Sequence, residues 1–146
     1  MVLGITGISG SGKHTAAEFF AQRKWVVLDA DRIAHHLYRP YTHVWKAIVK
    51  QFGEAILGNH DVIDRQKLGS LIFDPRHLEQ AEKNRLALNA ITHPAIRQYL
   101  KDQIHRHFRR QSKVLVIAAL WKELELAHFC DKILWLKVSP GIAAER

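Results

Sequence analysis

The sequence has few of the features that mark secreted, disulfide-stabilised or membrane-spanning proteins. It contains one cysteine, Cys130, which excludes an internal disulfide framework and any Cys-x-x-Cys metal pattern. Its longest apolar runs, at 114–120 and 133–136, are far shorter than the roughly 20 residues that cross a bilayer. Met1 leads into a strand-like segment and not into a signal peptide. We therefore expect a soluble, cytoplasmic protein.

Acidic residues are also scarce. The chain has 14 Asp and Glu against 22 Lys and Arg, a formal charge of +8, which favours an anionic partner such as a nucleotide or nucleic acid. The densest basic stretch, 105–113, falls at the expected end of a helix, where cations complement the helix dipole. Because a basic run without a recognition motif is weak evidence for nucleic-acid binding, we expect no nucleic-acid partner.

Short apolar runs alternate with longer helical stretches, which indicates an α/β fold with a mainly parallel sheet. The length of 146 residues and the 47% hydrophobic content favour one domain over 1–146. The predicted strands are 2–6, 25–28, 113–118 and 132–138, the last two of the buried parallel type. The predicted helices are 13–22, 31–38, 42–52, 64–73 with Asp64 as cap, 74–91, 94–110 and 140–146.

A glycine-rich loop joins the first predicted strand to the first predicted helix. Its pattern, Gly7-x-x-x-x-Gly12-Lys13, is typical of a P-loop in this strand-to-helix context. Glycines let the backbone N–H groups wrap around phosphate oxygens, and the helix N-terminus adds favourable partial charge. We therefore predict a P-loop NTPase-type three-layer fold that binds ATP, with Lys13 contacting the β- and γ-phosphates. The predicted nucleotide-binding residues are Gly10, Ser11, Gly12, Lys13, His14 and Thr15.

One position departs from the P-loop pattern. The residue after the lysine is ordinarily Ser or Thr, whose hydroxyl ligates the Mg²⁺ that bridges the phosphates, but here it is His14. Mg²⁺ prefers oxygen ligands, and Thr15 lies about 100° further around the helix, so it cannot replace the missing hydroxyl. We expect ATP and Mg²⁺ as cofactors, with nucleotide binding less affected by His14 than turnover.

The segment Asp29-Ala30-Asp31 ends the second predicted strand. In open α/β sheets ligands bind beyond the carboxyl ends of the strands, so these carboxylates should face the phosphates. Two roles are open to Asp31. It could accept a proton from a substrate hydroxyl that attacks the γ-phosphate, or it could cap the helix that follows.

Several segments along the chain together carry a family resemblance. They are Leu3-Gly4-Ile5-Thr6-Gly7, Gly10-Ser11-Gly12-Lys13, Asp29-Ala30-Asp31-Arg32-Ile33-Ala34, Ile48-Val49-Lys50-Gln51-Phe52-Gly53, Ile63-Asp64-Arg65, Thr92-His93-Pro94-Ala95-Ile96-Arg97 and Val138-Ser139-Pro140. The Asp-Ala-Asp and His-Pro-x-Ile-Arg segments are far more specific than a P-loop, which many kinases share. In this order, and across essentially the whole chain, the segments resemble the dephospho-coenzyme A kinase family.

The resemblance implies transfer of the ATP γ-phosphate to the ribose 3′-hydroxyl of dephospho-coenzyme A. By the same carry-over, Asp31 matches the general base and Lys13 the P-loop lysine. A helical segment at about 40–110 matches the region that binds the acceptor, with Arg65, His93 and Arg97 as substrate-binding residues. An arginine at 97 could hold phosphate by its planar donor fork, or be an ordinary exposed residue. His93 could equally be a structural residue at a helix start.

The sequence also departs from the family pattern besides at His14. Ala119 stands where the family has proline, and Lys122 and Lys137 replace an apolar and an acidic residue. Family members continue beyond the match to Arg146 into a basic lid, so we expect that lid to be missing here and transfer to be impaired. The alternatives are another small-molecule P-loop kinase, acting on a nucleoside or nucleotide, and a non-catalytic nucleotide-binding protein.

Overall fold

The computed structural model describes residues 1–8, 10–119, 121 and 123–137. The predictions for the helix at 140–146, for Lys122 and for the Val138-Ser139-Pro140 segment lie outside these residues. The strands are β1 (Val2–Gly7), β2 (Val26–Asp29), β3 (Val114–Ile117) and β4 (Lys132–Leu136), and the helices are α1 (Lys13–Ala21), α2 (Ala30–Leu37), α3 (His43–Phe52), α4 (Arg65–Ile72) and α5 (Leu78–Arg109). Short 3-10 turns occupy Glu54–Ile56, Asn59–Asp61 and Leu126–Phe129. No helix within the described ranges is long and apolar enough to span a membrane.

The four strands form one parallel sheet in the order β2-β3-β1-β4. All four residues of β3 are buried, as the continuous apolar run Val-Leu-Val-Ile predicts for a central parallel strand. Because all neighbouring strands are parallel, the carboxyl ends of β1, β2 and β3 lie at the same edge of the sheet. The prediction of an α/β fold with a parallel sheet flanked by helices is confirmed.

The two faces of the sheet are covered differently. On one face, Ile5 of β1 and Leu115 and Ile117 of β3 form a buried cluster with Ala17 of α1. On the other face the indole of Trp121 lies directly over Gly4, and its Nε1 donates a hydrogen bond to the Ile5 carbonyl at 2.9 Å. A side chain at position 4 would occupy the space of that indole. Because Gly4 has no side chain, the Trp121 indole can pack directly against β1 on the second face of the sheet.

The last strand differs from the prediction. β4 was expected to be buried, but Ile133, Leu134 and Trp135 are exposed, Trp135 by 67%. Among the described residues β4 is an edge strand that pairs only with β1, so it lacks the side chains that a second neighbouring strand would place beside its own on each face of the sheet. An apolar composition indicates a strand, but it does not show whether that strand has a neighbour on both edges.

The chain divides into two compact units. The first contains Met1–Ile33 and the described residues from Arg97 onward, and it includes the whole sheet. The second, Ala34–Ile96, is helical and has its own core of Ile48, Ile56, Ile63, Leu68 and Leu88. Asp64 caps α4 through hydrogen bonds from the Gln66 and Lys67 amides, as predicted.

The helix α5 runs unbroken through Pro94, whereas two helices were predicted, one from Asp74-Pro75 and one after Pro94. Asp74 instead accepts a hydrogen bond from the Arg76 amide, and the helix begins at Leu78. An internal proline costs about 3 kcal/mol. The helix buries Leu88, Ile96 and Leu100, and each such side chain contributes about 1.5–3 kcal/mol, which offsets that cost.

Candidate active site

The backbone of the loop between β1 and α1 depends on its glycines. Gly10 and Gly12 have φ of 75° and 84°, the left-handed region that glycine adopts without steric cost. At Gly7 a Cβ would lie 2.6 Å from both the Leu136 carbonyl and Ser11 Oγ. Gly12 also forms the N-cap of α1 without a side-chain hydrogen bond, and no acidic residue lies in the first turn. The positive end of the helix is therefore open to an external anion.

Two side chains of the loop fit a phosphate group. Lys13 is 9% exposed, and its Nζ donates hydrogen bonds to the Gly7 and Ile8 carbonyls, each at 2.7 Å. These contacts hold an ammonium group at the inner surface of the loop. Ser11 Oγ is buried and has no hydrogen-bond partner within the described ranges. Because an unpaired buried hydroxyl costs about 1–3 kcal/mol, a phosphate oxygen would relieve this penalty.

The loop opens into a cleft of about 390 Å³. The cleft lies beyond the carboxyl ends of β1, β2 and β3, where ligands of open α/β sheets bind. Its lining contains all six residues predicted to bind nucleotide and also Asp31. The lining residues are Gly10, Ser11, Gly12, Lys13, His14, Thr15, Asp31 and Ala119.

The two aspartates at the end of β2 have different roles. Asp29 is 9% exposed, and its Oδ1 accepts hydrogen bonds from the amides of Asp31 (2.9 Å) and Arg32 (3.2 Å). Asp29 therefore caps α2, and the capping role considered for Asp31 belongs to its neighbour. The Asp31 side chain is exposed and lines the cleft. The Asp31 carboxylate is therefore not used to cap α2.

The residue that breaks the P-loop pattern lies beside the buried aspartate. His14 is 71% exposed, and its Nε2 is 3.4 Å from Asp29 Oδ2. The chain thus presents an imidazole and one carboxylate where the pattern has a hydroxyl. Over the described residues, no group of three or more His, Cys, Asp or Glu side chains could hold a metal ion. These ligands fit Mg²⁺ poorly, because that ion prefers an all-oxygen octahedron.

In the helical unit, Arg65 lies at the exposed start of α4 and His93 is half-buried on α5. A hydrogen bond with the Thr92 side chain and the positive charge of Arg65 both lower the pKa of Tyr38. Burial raises the pKa of Tyr38 more than these two contacts lower it, so the phenol stays neutral. Sequence reasoning did not single out Tyr38, which belongs to no recognisable motif, and it noted Thr92 only as the first residue of the His-Pro-x-Ile-Arg segment.

Arg97, the remaining predicted substrate-binding residue, falls in the unit that contains the sheet. Its guanidinium donates a hydrogen bond to the Glu125 carboxylate, and the two side chains are 36% and 63% exposed. Glu125 has a left-handed backbone with φ of 50°. Because the pair is exposed, a phosphate group could displace the carboxylate at little cost.

A parallel sheet with a glycine-rich loop, a loop lysine and a helix N-terminus at one cleft defines a P-loop nucleotide-binding fold. Comparison with known proteins gives the family. The family model described as Dephospho-CoA kinase matches residues 1–146. The chain is 36% identical over 145 residues to the Dephospho-CoA kinase of Lactobacillus johnsonii, covering 99% of this chain and 70% of that protein. It is 34% identical over 148 residues to that of Bacillus anthracis, covering 100% and 70%.

Solved structures agree. TT1252 from Thermus thermophilus superposes with a TM-score of 0.78 at 25% identity, covering 99% of this chain and 69% of that one. The Dephospho-CoA kinase from Campylobacter jejuni, at 17% identity, shares the fold with a TM-score of 0.67 and covers 99% and 92%. The chain belongs to the dephospho-CoA kinase family, which confirms the resemblance identified from the sequence.

Proposed function

We propose that this chain transfers the γ-phosphoryl group of ATP to the ribose 3′-hydroxyl of dephospho-coenzyme A, giving coenzyme A and ADP. The observation that supports this most is the convergence of the P-loop, Lys13 and Asp31 on one cleft in a member of this family. The proposal treats 1–146 as one P-loop kinase domain of the cytoplasm, with no nucleic-acid partner.

The nucleotide binds through the loop. The first-turn amides of α1 and Ser11 Oγ contact phosphate oxygens, and the Lys13 ammonium exchanges the Gly7 and Ile8 carbonyls for the β- and γ-phosphates. Mg²⁺ enters the proposal as an ion that ATP itself brings, since the described residues include no cluster of His, Cys, Asp or Glu side chains that could hold it. Gly10, Gly12, His14 and Thr15 complete the wall around the phosphates.

Asp31 acts on the acceptor. Its carboxylate accepts the proton of the 3′-hydroxyl as that oxygen attacks the γ-phosphorus, and the bond to the bridging β–γ oxygen breaks to release ADP. Arg65, His93 and Arg97 bind the acceptor, the two arginines through its phosphate groups.

The test is a screen of acceptors at fixed ATP. Dephospho-coenzyme A, adenosine, AMP and a pyrimidine nucleoside are each incubated with the protein, and ADP formation is followed by a coupled assay. Of these acceptors, we expect only dephospho-coenzyme A to raise the rate of ADP formation above that of ATP hydrolysis without an acceptor. A higher rate with a nucleoside or a nucleotide would favour a different small-molecule kinase, and no transfer to any acceptor would favour a nucleotide-binding protein without kinase activity.

A further inference from the structure

An ionisable side chain, His14, stands where the P-loop pattern has a hydroxyl. We propose that the protonated His14 imidazole, positioned by Asp29, is a second cation of the phosphate-binding loop beside Lys13. Nucleotide binding by this chain then strengthens as the pH falls. The inference deepens the proposed function, because it rests on ATP occupying the cleft that His14 lines.

The phosphates of ATP need more positive charge than one lysine supplies. In P-loop proteins a bound ion neutralises part of this charge, but over the part of the chain that the structure describes no group of side chains could hold one. The charged or ionisable side chains that line the cleft are Lys13, His14 and Asp31, and a carboxylate repels phosphate. Among these lining residues, only His14 can add a positive charge to that of Lys13.

The contact with Asp29 positions the imidazole. His14 Nε2 lies 3.4 Å from Asp29 Oδ2, an ion-pair distance. The carboxylate is 9% exposed, and its Oδ1 accepts hydrogen bonds from the amides of Asp31 and Arg32, which fix its place at the end of β2. Asp29 does not line the cleft, whereas His14 does and is 71% exposed. Asp29 can therefore hold the ring from behind without meeting the nucleotide.

The two ring nitrogens then have different partners. With Nε2 beside a carboxylate, the hydrogen of a neutral imidazole lies on Nε2, and the lone pair on Nδ1 repels a phosphate oxygen. Protonation places a hydrogen on Nδ1 as well, so that this nitrogen becomes a donor. Histidine ordinarily changes its charge between about pH 5 and 8. Because each event favours the other, phosphate binding and protonation of His14 are coupled.

The surroundings of His14 independently indicate an anion site. His14 is the second residue of α1, so it belongs to the same first turn as the amides that have no partner within the helix. Ser11 Oγ lines the same cleft and is buried without a hydrogen-bond partner among the described residues. The acidic residue of α1, Glu18, lies four residues further along and is exposed, so solvent screens its charge.

The experiment measures the affinity for a non-hydrolysable ATP analogue by calorimetry in a chelator, at about pH 6, 7 and 8, the range in which histidine titrates. The parent is compared with His14→Gln, which stays neutral, and with His14→Lys, which stays charged. His43→Gln is the matched control, because His43 is an exposed histidine in the first turn of α3 and does not line the cleft. Titration of the analogue itself is common to all four proteins and cancels in the comparison.

We expect the ratio of the dissociation constants at the highest and lowest pH to be about three- to tenfold larger for the parent than for His14→Gln. His43→Gln should behave as the parent. His14→Lys should share the small ratio of His14→Gln but bind more tightly at the highest pH. Measurements in two buffers with different heats of ionisation should show that the parent takes up more protons on binding than His14→Gln.

Three results would count against the inference. Equal ratios in the parent and His14→Gln, or equal proton uptake, would overturn it and leave the proposed function intact. Absence of binding in chelator at every pH, with binding restored by Mg²⁺, would also overturn the inference alone. Absence of binding under both conditions would overturn the nucleotide site and the inference with it.

Discussion

Gly4→Ala should destabilise the sheet that supports the phosphate-binding loop. A Cβ at this position would lie 2.2 Å from Cη2 of Trp121 and 2.8 Å from Cζ2, whereas carbon atoms in contact are normally about 3.5–4.0 Å apart. The indole cannot simply move aside, because it is 9% exposed and its Nε1 is bonded to the Ile5 carbonyl at 2.9 Å.

The magnitude follows from these two contacts. Overpacking of a core costs about 1–3 kcal/mol, and weakening the buried indole hydrogen bond adds about 1 kcal/mol. We therefore expect Gly4→Ala to lose about 2–4 kcal/mol of unfolding free energy, with Tm lower by roughly 10 °C. The assay is urea unfolding followed by tryptophan fluorescence, with thermal melting followed by circular dichroism.

Gly69→Ala is the matched control. A Cβ at Gly69, inside α4, meets nothing within 4 Å, so the same substitution should stabilise the helix by about 0.5–1 kcal/mol. The double variant Gly4→Ala with Trp121→Phe should recover part of the loss, since the smaller ring makes room for the methyl group. A Gly4→Ala protein as stable as the parent would show that the Trp121 ring does not pack tightly against Gly4.

Three further changes test the loop, the base and a strained turn. Lys13→Ala should weaken ATP binding at least about tenfold, since a charge-assisted hydrogen bond is worth about 1.5–3 kcal/mol, and unchanged affinity by calorimetry would refute the assigned role. Asp31→Asn should lower kcat by about 10²–10⁴-fold with little change in ATP affinity, because a general base acts on the acceptor. The control Asp102→Asn, at an exposed residue of α5, should change neither quantity, and an unaltered kcat in Asp31→Asn would exclude Asp31 as the base. Tyr41 has φ of 68°, so Tyr41→Gly should be more stable than Tyr41→Ala by about 1 kcal/mol in urea unfolding, and equal stabilities would mean that its backbone is unstrained.

The sequence predicts the elements around the P-loop well, because their signals are local. A buried apolar run, the glycines and a lysine at fixed spacing lie within 13 residues, and the structure has β1 and α1 close to the predicted bounds. The fold class followed from the alternation of strand and helix patterns, which needs no knowledge of contacts.

Features that depend on contacts were not predictable. Asp29 and Asp31 are both suited to cap a helix, and the choice between them depends on which carboxylate reaches the first-turn amides. The continuity of α5 through Pro94 depends on the apolar side chains buried along the helix. The closeness of His14 to Asp29 brings the first turn of α1 together with the end of β2, which no local sequence pattern predicts.

Transfer of labelled phosphate tests the central claim most directly. The protein is incubated with dephospho-coenzyme A and with ATP that carries a label in its γ-phosphate. The products are separated, and the position of the label in each product is determined by mass spectrometry. Lys13→Ala provides the background. The account predicts label in coenzyme A, on the ribose 3′-oxygen, at a rate well above that of Lys13→Ala. Label only in inorganic phosphate, or equal label with both proteins, would contradict it.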